Sequence, residues 1–376
     1  MKKFRDLNKQ YDVLKNEIDK AISEVLEVGY FILGKEVAEI EEQLSEYVGV
    51  KHCVTCASGT DALVLALKTL DVGQGDAVFV PDFTYIASAS SASWIGVTPV
   101  FVDIERNTFN INPEKLEKTI QNTLSENKLT PKAIIAVDMF GRPADYIKIR
   151  AIADKYGLFL IEDGAQGFGG KIGNRKACSF GDISTTSFFP AKPLGCYGDG
   201  GALFTDNDEY YEKLILLRKN GSSPTDKYDN LIIGTNSRLD TIQAAILKVK
   251  LKAFADYEVE NINKIADLYS VHLKDVVQIP IIQENFYSSW AQYSVLLPEN
   301  VNRQELQKKL KDEDIPTMIY FPKPLHSQKA FANLNYSDDE FAETIDVCKR
   351  ILSLPIHPYM PESEVETIAE AVKRYV

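Results

Sequence analysis

The sequence predicts an α/β protein: a mostly parallel central sheet with helices on both faces, plus a smaller α+β domain at the C-terminal end. Two observations predict this fold class. Short apolar runs alternate with segments of helical periodicity over the first two thirds of the chain, which is typical of parallel strands joined by crossover helices. After a long helical stretch, the pattern changes to an irregular mixture of strands and helices.

The N-terminal part supplies the elements of the central sheet. Two amphipathic helices are predicted between residues 12 and 48, with breaks at Gly29 and Gly34. Apolar runs of strand length follow at residues 52–56, 77–81, 99–103, 132–137, 158–161 and 183–188. Helical periodicity occupies residues 61–70, 86–95, 113–123 and 145–156. This alternation predicts that helices cover both faces of the sheet.

The pattern changes near Leu239. Residues 239–273 predict a long connecting helix. Predicted strands follow at 290–296 and 317–321, with predicted helices at 303–311, 338–351 and 362–375. We therefore predict a large domain, including the N-terminal segment, over residues 1–249 and a small C-terminal domain over residues 250–376.

Composition and charge argue against several classes of protein. The chain has 42 Lys and Arg against 54 Asp and Glu, a net charge of −12, and no basic cluster. We expect no nucleic-acid partner, because binding phosphates along a strand needs concentrated positive charge. The N-terminus is too polar for a secretion signal, and no apolar run approaches the roughly 20 residues that span a bilayer. These features predict a soluble cytoplasmic protein with no membrane partner.

The cysteines do not predict a metal site. Their odd number, five, favours reduced thiols over a disulfide framework. Cys53 and Cys56 form a C-x-x-C pair, but positions three apart on a strand face opposite sides. No second pair is present to complete a zinc site, so we expect no metal.

Four polar clusters fall at predicted strand ends, where open α/β sheets collect ligands. The first, ASGTDA at residues 57–62, joins a strand to a helix, and its small residues and free N–H groups suit a phosphate. Taken alone, a simple helix cap by Ser58 or Thr60 is the better interpretation. The second, LFLIEDGAQ at 158–166, ends an apolar strand in two carboxylates, where a charge needs a partner. A pyridinium nitrogen would be such a partner, with Gln166 near the ring hydroxyl, although a helix-capping carboxylate on a surface loop remains open.

The third cluster, SFFPAKPLG at residues 187–195, is the most informative. It places Lys192 between prolines and apolar residues, and Gly-Asp-Gly-Gly follows at 198–201. An amine in a partly dehydrated pocket loses its proton more easily and can condense with an aldehyde, while Ser187 can donate to a phosphate. The alternative is an ordinary surface lysine. The fourth cluster, GTNSR at 234–238, precedes the long helix, and Asn236 is also compatible with a helix cap.

Together these motifs resemble the DegT/StrS-type sugar aminotransferases, a branch of the fold-type-I pyridoxal-phosphate (PLP) enzymes. The resemblance runs from GYFILG at residues 29–34 to LPIHP at 354–358 and is most specific at TSFFPAKPLGCYGDGG, residues 186–201. It implies the PLP-dependent transferase fold of the aspartate aminotransferase type. The chain is most similar to enzymes that aminate UDP-linked 3-oxo-hexuronic acids for bacterial surface polysaccharides such as O-antigen.

The resemblance also implies roles for individual residues. Lys192 corresponds to the lysine that holds PLP as a Schiff base, and Asp163 to the carboxylate on the pyridine nitrogen. Gln166 corresponds to the group facing the ring hydroxyl, and Tyr85 to the aromatic ring that stacks on the cofactor. The implied phosphate site consists of Gly59, Thr60 and Ser187, with Asn236 reaching the cofactor of the other subunit in a homodimer with shared active sites. The implied nucleotide-sugar contacts are Gly29, Phe31, Arg238 and Tyr320.

Some positions depart from the family pattern. Gly164 replaces the usual alanine, which we expect to remove a methyl group near the ring. Asn220 stands where many relatives have histidine, Ala191 where serine is common, and Phe31 where tyrosine is common. These changes leave the cofactor chemistry intact and the identity of the sugar open. Lys323 and His326 are further candidates for substrate contact, and a structural role for each is equally open.

The implied activity is a ping-pong transfer of an amino group from L-glutamate to a keto group of a nucleotide-linked sugar, with Lys192 as acid and base. Lys192 argues against the related sugar dehydratases, which carry histidine at this position. Two alternatives stay open. The acceptor could be a 4-keto sugar or a cyclitol, or the protein could be a PLP-binding regulatory dimer without turnover.

Overall fold

A seven-stranded sheet forms the centre of the computed structural model, which describes residues 2–226 and 228–376. The strands in chain order are β1 (His52–Cys56), β2 (Asp76–Pro81), β3 (Thr98–Val102), β4 (Thr130–Val137), β5 (Phe159–Asp163), β6 (Lys171–Ile172), β7 (Arg175–Lys176), β8 (Ile183–Ser187), β9 (Gly201–Thr205), β10 (Phe286–Tyr287), β11 (Tyr293–Leu296) and β12 (Ile351–Leu354). The central sheet has the order β1-β9-β8-β5-β4-β2-β3. Its pairs are parallel, except that β9 is antiparallel to both β1 and β8. The predicted fold class is therefore confirmed.

Helices cover the sheet and connect its strands. They are α1 (Leu7–Val28), α2 (Lys35–Val48), α3 (Gly59–Thr69), α4 (Ala87–Trp94), α5 (Pro113–Glu126), α6 (Tyr146–Tyr156), α7 (Asp208–Leu217), α8 (Thr241–Ala253), α9 (Val259–Leu273), α10 (Arg303–Asp312), α11 (Ala342–Arg350) and α12 (Glu362–Tyr375). A π-helical turn, Phe254–Glu258, joins α8 to α9, so the predicted long connector is nearly continuous. In the part of the chain that the structure describes, no helix is both long and apolar enough to cross a membrane.

Local sequence explains why α3 starts where it does. Ser58 precedes the helix in extended conformation, and its hydroxyl accepts a hydrogen bond from the Asp61 N–H at 3.1 Å. This side-chain cap satisfies one of the four N–H groups that lack a partner inside the helix. The helix then buries a nearly continuous run of Ala and Leu between the sheet and neighbouring helices, which fixes its first turn at the end of β1.

The C-terminal part has an apolar core of its own. Side chains from α9, α10 and α12 pack on the two-stranded sheet formed by β11 and β12. The division at residue 250 stays a prediction. It would fall within α8, which packs against α1 and α2.

The six predicted strands of the large domain are confirmed, with ends within two residues. The predicted strand at 317–321 is wrong, because Met318 makes only an isolated bridge with Ser353. Pro316 and Pro322 flank it and have no N–H to continue a ladder. The predicted helix 338–351 is wrong at both ends: a 3₁₀ turn occupies Asp338–Glu340, and the apolar residues that follow α11 form β12.

Candidate functional site

A buried carboxylate and a lysine amine lie close enough to interact electrostatically at the carboxyl edge of the central sheet. Asp163 is the last residue of β5, and its Oδ2 accepts a hydrogen bond from the Ser88 hydroxyl at 2.7 Å. Its Oδ1 accepts one from the Ala165 N–H at 3.2 Å. Burial raises the pKa of Asp163, while the Ser88 hydrogen bond and the positive charge of Lys192 oppose that rise.

Lys192 lies in the loop between β8 and β9. Burial lowers the pKa of its amine, and the charge of Asp163 partly offsets that effect. The two groups therefore interact electrostatically, yet no direct hydrogen bond or ion pair joins these two described residues. An amine that loses its proton easily can add to an aldehyde, and the carboxylate can hold a positive charge across the same pocket.

Glycines bring three loops together beside this pair. A Cβ atom added to Gly59, at the start of α3, would lie only 2.6 Å from the Ser187 Cβ at the end of β8. One added to Gly201 would lie 2.5 Å from the Ser58 carbonyl oxygen. The N–H groups of Gly59 and Thr60 belong to the first helical turn and have no acceptor within the helix. Together with the Ser187 hydroxyl, they form a cradle of donors suited to a phosphate.

Gln166 is buried, and its amide is held in one orientation. Its side-chain oxygen accepts from the Phe140 N–H at 2.9 Å, so the NH₂ group remains to donate. The Ser289 hydroxyl donates to its backbone carbonyl at 2.9 Å. A donor fixed in this way suits a phenolic oxygen on a bound ring.

The predicted stacking and substrate residues differ in exposure. Tyr85 is 56% exposed and Phe31 47%, whereas Tyr320 is half-buried against Phe4, with ring centroids 6.1 Å apart. Gly29 ends α1 with a φ of 73°, in the left-handed region that favours glycine. The Nε atom of Arg238 is buried and has no hydrogen-bond partner.

Asn236 does not cap the long helix. The residue that precedes α8 is Asp240, four positions further on, while Asn236 is exposed and its backbone bridges to Lys219. The helix-cap alternative is therefore wrong, and the Asn236 side chain is free to meet another molecule.

The structure corrects the expectation for Gly164 and favours the structural one of the two roles left open for His326. A Cβ added to Gly164 would lie 2.5 Å from the Cys178 Sγ, so a methyl group here would meet Cys178, and the cysteine sulfur occupies the space it would need. His326 is not free to contact a substrate. Its Nδ1 is 2.6 Å from Asp82, its Nε2 is 3.0 Å from Asp338, and its ring stacks on Phe341. Burial works against the charged ring, but the hydrogen bonds to the two carboxylates outweigh it and raise the pKa of His326.

The two strand-end carboxylates have separate roles. Asp163 faces the pocket, whereas Glu162, one position earlier on β5, accepts from the Phe180 N–H and the Ser184 hydroxyl, each at 2.7 Å. On the opposite face of the sheet from Asp163, Glu162 neighbours Asp138. Burial and the charge of Glu162 raise the pKa of Asp138 well above its usual value. Strand alternation explains the separation, since adjacent residues face opposite sides of a sheet.

Sequence reasoning missed two residues of the site. Ser88 holds Asp163 from α4, in a Ser- and Ala-rich run that carries no motif. Arg5 precedes α1, and its charge acts on Lys192. Neither position has a local signal, because each reaches the site only through the fold.

A second buried lysine lies outside this pocket. The Lys250 amine lies over the Tyr197 ring, 4.9 Å from its centroid, and burial lowers its pKa to about 8. The charges that act on it are those of Glu258, Arg5 and Cys196. Low basicity alone therefore does not distinguish Lys192; its position opposite Asp163 does.

The side chains present fit PLP better than a metal. No group of His, Cys, Asp or Glu among residues 2–226 and 228–376 is arranged to hold a metal ion. Cys53 and Cys56 join different apolar clusters on opposite faces of β1, as expected for a strand. In contrast, an amine, an opposed carboxylate, a fixed amide donor and a phosphate cradle meet at one edge of the sheet.

Known proteins are similar to this chain in sequence and in fold. The DegT/DnrJ/EryC1/StrS aminotransferase family model matches residues 12–373. The chain is 41% identical to UDP-2-acetamido-2-deoxy-3-oxo-D-glucuronate aminotransferase of Pseudomonas aeruginosa, over 99% of each chain. It is 38% identical to UDP-N-acetyl-3-dehydro-alpha-D-glucosamine 3-aminotransferase of Acidithiobacillus ferrooxidans, over 98% of this chain and 96% of that one.

Solved structures agree. A DegT/DnrJ/EryC1/StrS aminotransferase from Brucella abortus superposes with a TM-score of 0.96 and 46% identity, over 100% of this chain and 99% of that one. NtdA from Bacillus subtilis, with bound cofactor PMP, superposes with a TM-score of 0.86 and 29% identity, over 96% and 82%. The chain therefore belongs to the DegT/DnrJ/EryC1/StrS family and is a PLP-dependent aminotransferase.

Proposed function

We propose that this enzyme transfers the amino group of L-glutamate to the 3-keto group of a UDP-linked 3-oxo-hexuronic acid, for bacterial surface polysaccharide synthesis in the cytoplasm. The observation that carries the proposal is the electrostatic interaction between Lys192 and Asp163, the buried carboxylate at the end of β5, without a direct bond between them. The similarity to the Pseudomonas aeruginosa enzyme, whose name specifies such a sugar, supports this acceptor.

Each site residue has a proposed role. PLP, when bound, supplies an electron sink that makes the α-hydrogen of the amino donor acidic. Asp163 holds the pyridine nitrogen protonated, and Ser88 keeps that carboxylate oriented. Gly59, Thr60 and Ser187 bind the phosphate, Gln166 donates to the ring hydroxyl, and Tyr85 covers the ring face. Lys192 would anchor the cofactor and, once its amine is free, would take the proton from the α-carbon of the donor.

We also propose a homodimer with shared active sites. Its support is the exposure of large apolar side chains in the segments that carry the predicted cofactor and substrate residues, where a partner subunit would cover them. They are Phe31 at 47%, Tyr85 at 56%, Phe189 at 52% and Ile233 at 92% exposure. Asn236, exposed in the same loop as Ile233, would then reach the phosphate of the partner's cofactor, while Gly29, Phe31, Arg238 and Tyr320 contact the nucleotide sugar.

Sharing predicts that two defective proteins complement each other. Dimers of Lys192→Ala and of Asn236→Ala, dissociated and re-formed together, should regain up to about one wild-type site per mixed dimer. The measurement is 2-oxoglutarate release by the mixture against the sum of the separate proteins. A mixture that never exceeds that sum would count against shared sites.

The acceptor is tested by product mass. L-Glutamate and a panel of UDP-, dTDP- and GDP-linked 3- and 4-keto sugars are supplied to the PLP-loaded enzyme. The proposal expects an amino sugar from the UDP-linked 3-oxo-hexuronic acid. Turnover of only a 4-keto sugar would show that the acceptor is a 4-keto sugar and not the proposed 3-keto sugar. No turnover with any sugar would favour a regulatory role.

A further inference from the structure

Arg5 points a buried guanidinium toward the candidate active site. The segment before α1 is fixed by a hydrogen bond from the Ile356 N–H to the Phe4 carbonyl at 3.1 Å and by the contact of Phe4 with Tyr320. This anchoring places Arg5 in the wall of a small cavity that Lys192 and His357 also line.

The guanidinium lacks partners that would satisfy it. Its Nη1 is buried without a hydrogen-bond partner, and its Nη2 makes only a long contact of 3.4 Å with the Pro193 carbonyl. Burial lowers the pKa of Arg5 to about 10, so it remains a cation at neutral pH. A buried cation without a paired anion is unfavourable, which indicates that an anion completes the site.

The carboxylates near Arg5 are engaged elsewhere. Glu258 acts on Arg5 electrostatically but makes no hydrogen bond or ion pair with it; its Oε1 accepts from Gln10 at 2.8 Å and from the Tyr359 hydroxyl. Asp6 lines the same cavity, but it accepts from the Lys9 N–H at 3.0 Å and from the Lys3 amine at 3.1 Å.

The remaining groups around the cavity are cationic or neutral. The Lys192 amine is repelled by Arg5. Burial lowers the pKa of His357 to about 4, so its ring is neutral, and its Nδ1 is buried without a partner. A single anion placed here would meet one fixed positive charge beside the reacting amine.

We propose that Arg5 binds the carboxylate of the substrate beside Lys192. The inference rests on the proposed function, because a transaminase of this kind receives two carboxylates in turn, that of the amino donor and that of the hexuronic acid. A guanidinium recognises a carboxylate through two parallel N–H donors, which a neutral hydroxymethyl group cannot match. Arg5 would thus select an acidic sugar over its neutral counterpart.

The test compares two nucleotide sugars that differ only at C6. UDP-N-acetylglucosaminuronic acid carries a carboxylate there, and UDP-N-acetylglucosamine carries a hydroxymethyl group. Both are titrated calorimetrically into PLP-loaded wild type, Arg5→Gln and Arg5→Lys. Lys9→Gln is the matched control, since it removes a positive charge from a nearby exposed position in the first turn of α1. A second arm follows the glutamate concentration that half-saturates conversion of PLP to its amino form, by absorbance.

We expect Arg5→Gln to lower the affinity for the acidic sugar at least tenfold and the affinity for the neutral sugar less than twofold. Arg5→Lys should have intermediate affinity for the acidic sugar, and Lys9→Gln should bind both sugars like the wild type. A shift confined to the glutamate arm would also support the proposal and assign the carboxylate to the donor. Equal weakening of both sugars with a lower melting temperature would overturn it in favour of a structural role, and so would no change in either arm. Failure of the wild type to bind either sugar would refute the proposed acceptor instead, leaving the glutamate arm to decide on Arg5.

Discussion

Replacing Ser88 with alanine should shift the pH dependence of catalysis without abolishing it. The Ser88 hydroxyl donates to Asp163 Oδ2 at 2.7 Å, a length typical of a hydrogen bond to a charged acceptor. Such bonds contribute about 1.5–3 kcal/mol, and one pKa unit corresponds to about 1.4 kcal/mol. Because this bond favours the ionised carboxylate, its loss should raise the pKa of Asp163 by a further one to two units, roughly.

The sign of the effect follows from the proposed role of Asp163. The carboxylate must be ionised to keep the pyridine nitrogen protonated, so activity falls as the pH drops through the pKa of Asp163. In Ser88→Ala that loss of activity should begin about one to two pH units higher than in the wild type. At higher pH, where Asp163 is ionised in both proteins, the rate should stay near that of the wild type.

The assay is the pH profile of kcat/KM for conversion of glutamate to 2-oxoglutarate. Ser91→Ala is the matched control, because Ser91 is also buried on α4 but bonds the Ser88 carbonyl at 3.5 Å and not Asp163. A Ser88→Ala profile that superimposes on the wild type, or one lowered equally at every pH, would refute the reasoning.

Two further predictions concern the glycines. Gly59→Ala should weaken PLP binding by at least tenfold, because its Cβ would lie 2.6 Å from Ser187 in the phosphate cradle. Gly73→Ala is the control and should bind PLP normally, since nothing lies within 4 Å of the added Cβ. Equilibrium dialysis against PLP measures both affinities, and equal affinities would contradict the cradle. Gly164→Ala should lower the free energy of unfolding by about 1–3 kcal/mol through overpacking against the Cys178 sulfur. The double change with Cys178→Ala should recover most of that loss in a urea titration, and strictly additive losses would show that the sulfur is not the obstacle.

Much of the fold followed from periodicity, and the misses have physical reasons. Most of the six strands were predictable because they are mainly apolar and buried on both faces, whereas β8 (Ile183–Ser187) is buried but rich in Ser and Thr. The strand β9 was missed because it begins inside the glycine-rich stretch that carries the active-site motif. The strand β12 was missed, and the predicted helix 338–351 overlaps its first residue, since a mostly apolar run of four residues does not reveal its type until its partner β11 is known.

The site was predictable where chemistry is written in consecutive residues. Lys192, Asp163 and Gly59 lie in motifs at strand ends, and the structure brings their loops together. Ser88 and Arg5 lie far from those motifs in sequence and become neighbours of the site only through tertiary packing. The need for glycine at position 164 likewise depends on the Cys178 sulfur, and no local sequence pattern connects these two positions.

The most direct test of the account is to locate the covalent bond to the cofactor. The PLP-loaded protein is reduced with borohydride, digested, and its peptides are mapped by mass. We predict that the cofactor is attached to Lys192 and that Lys192→Ala retains no reducible adduct. Attachment to Lys250, which is buried and also has a lowered pKa, would contradict the account, as would a wild-type protein that forms no adduct in excess PLP.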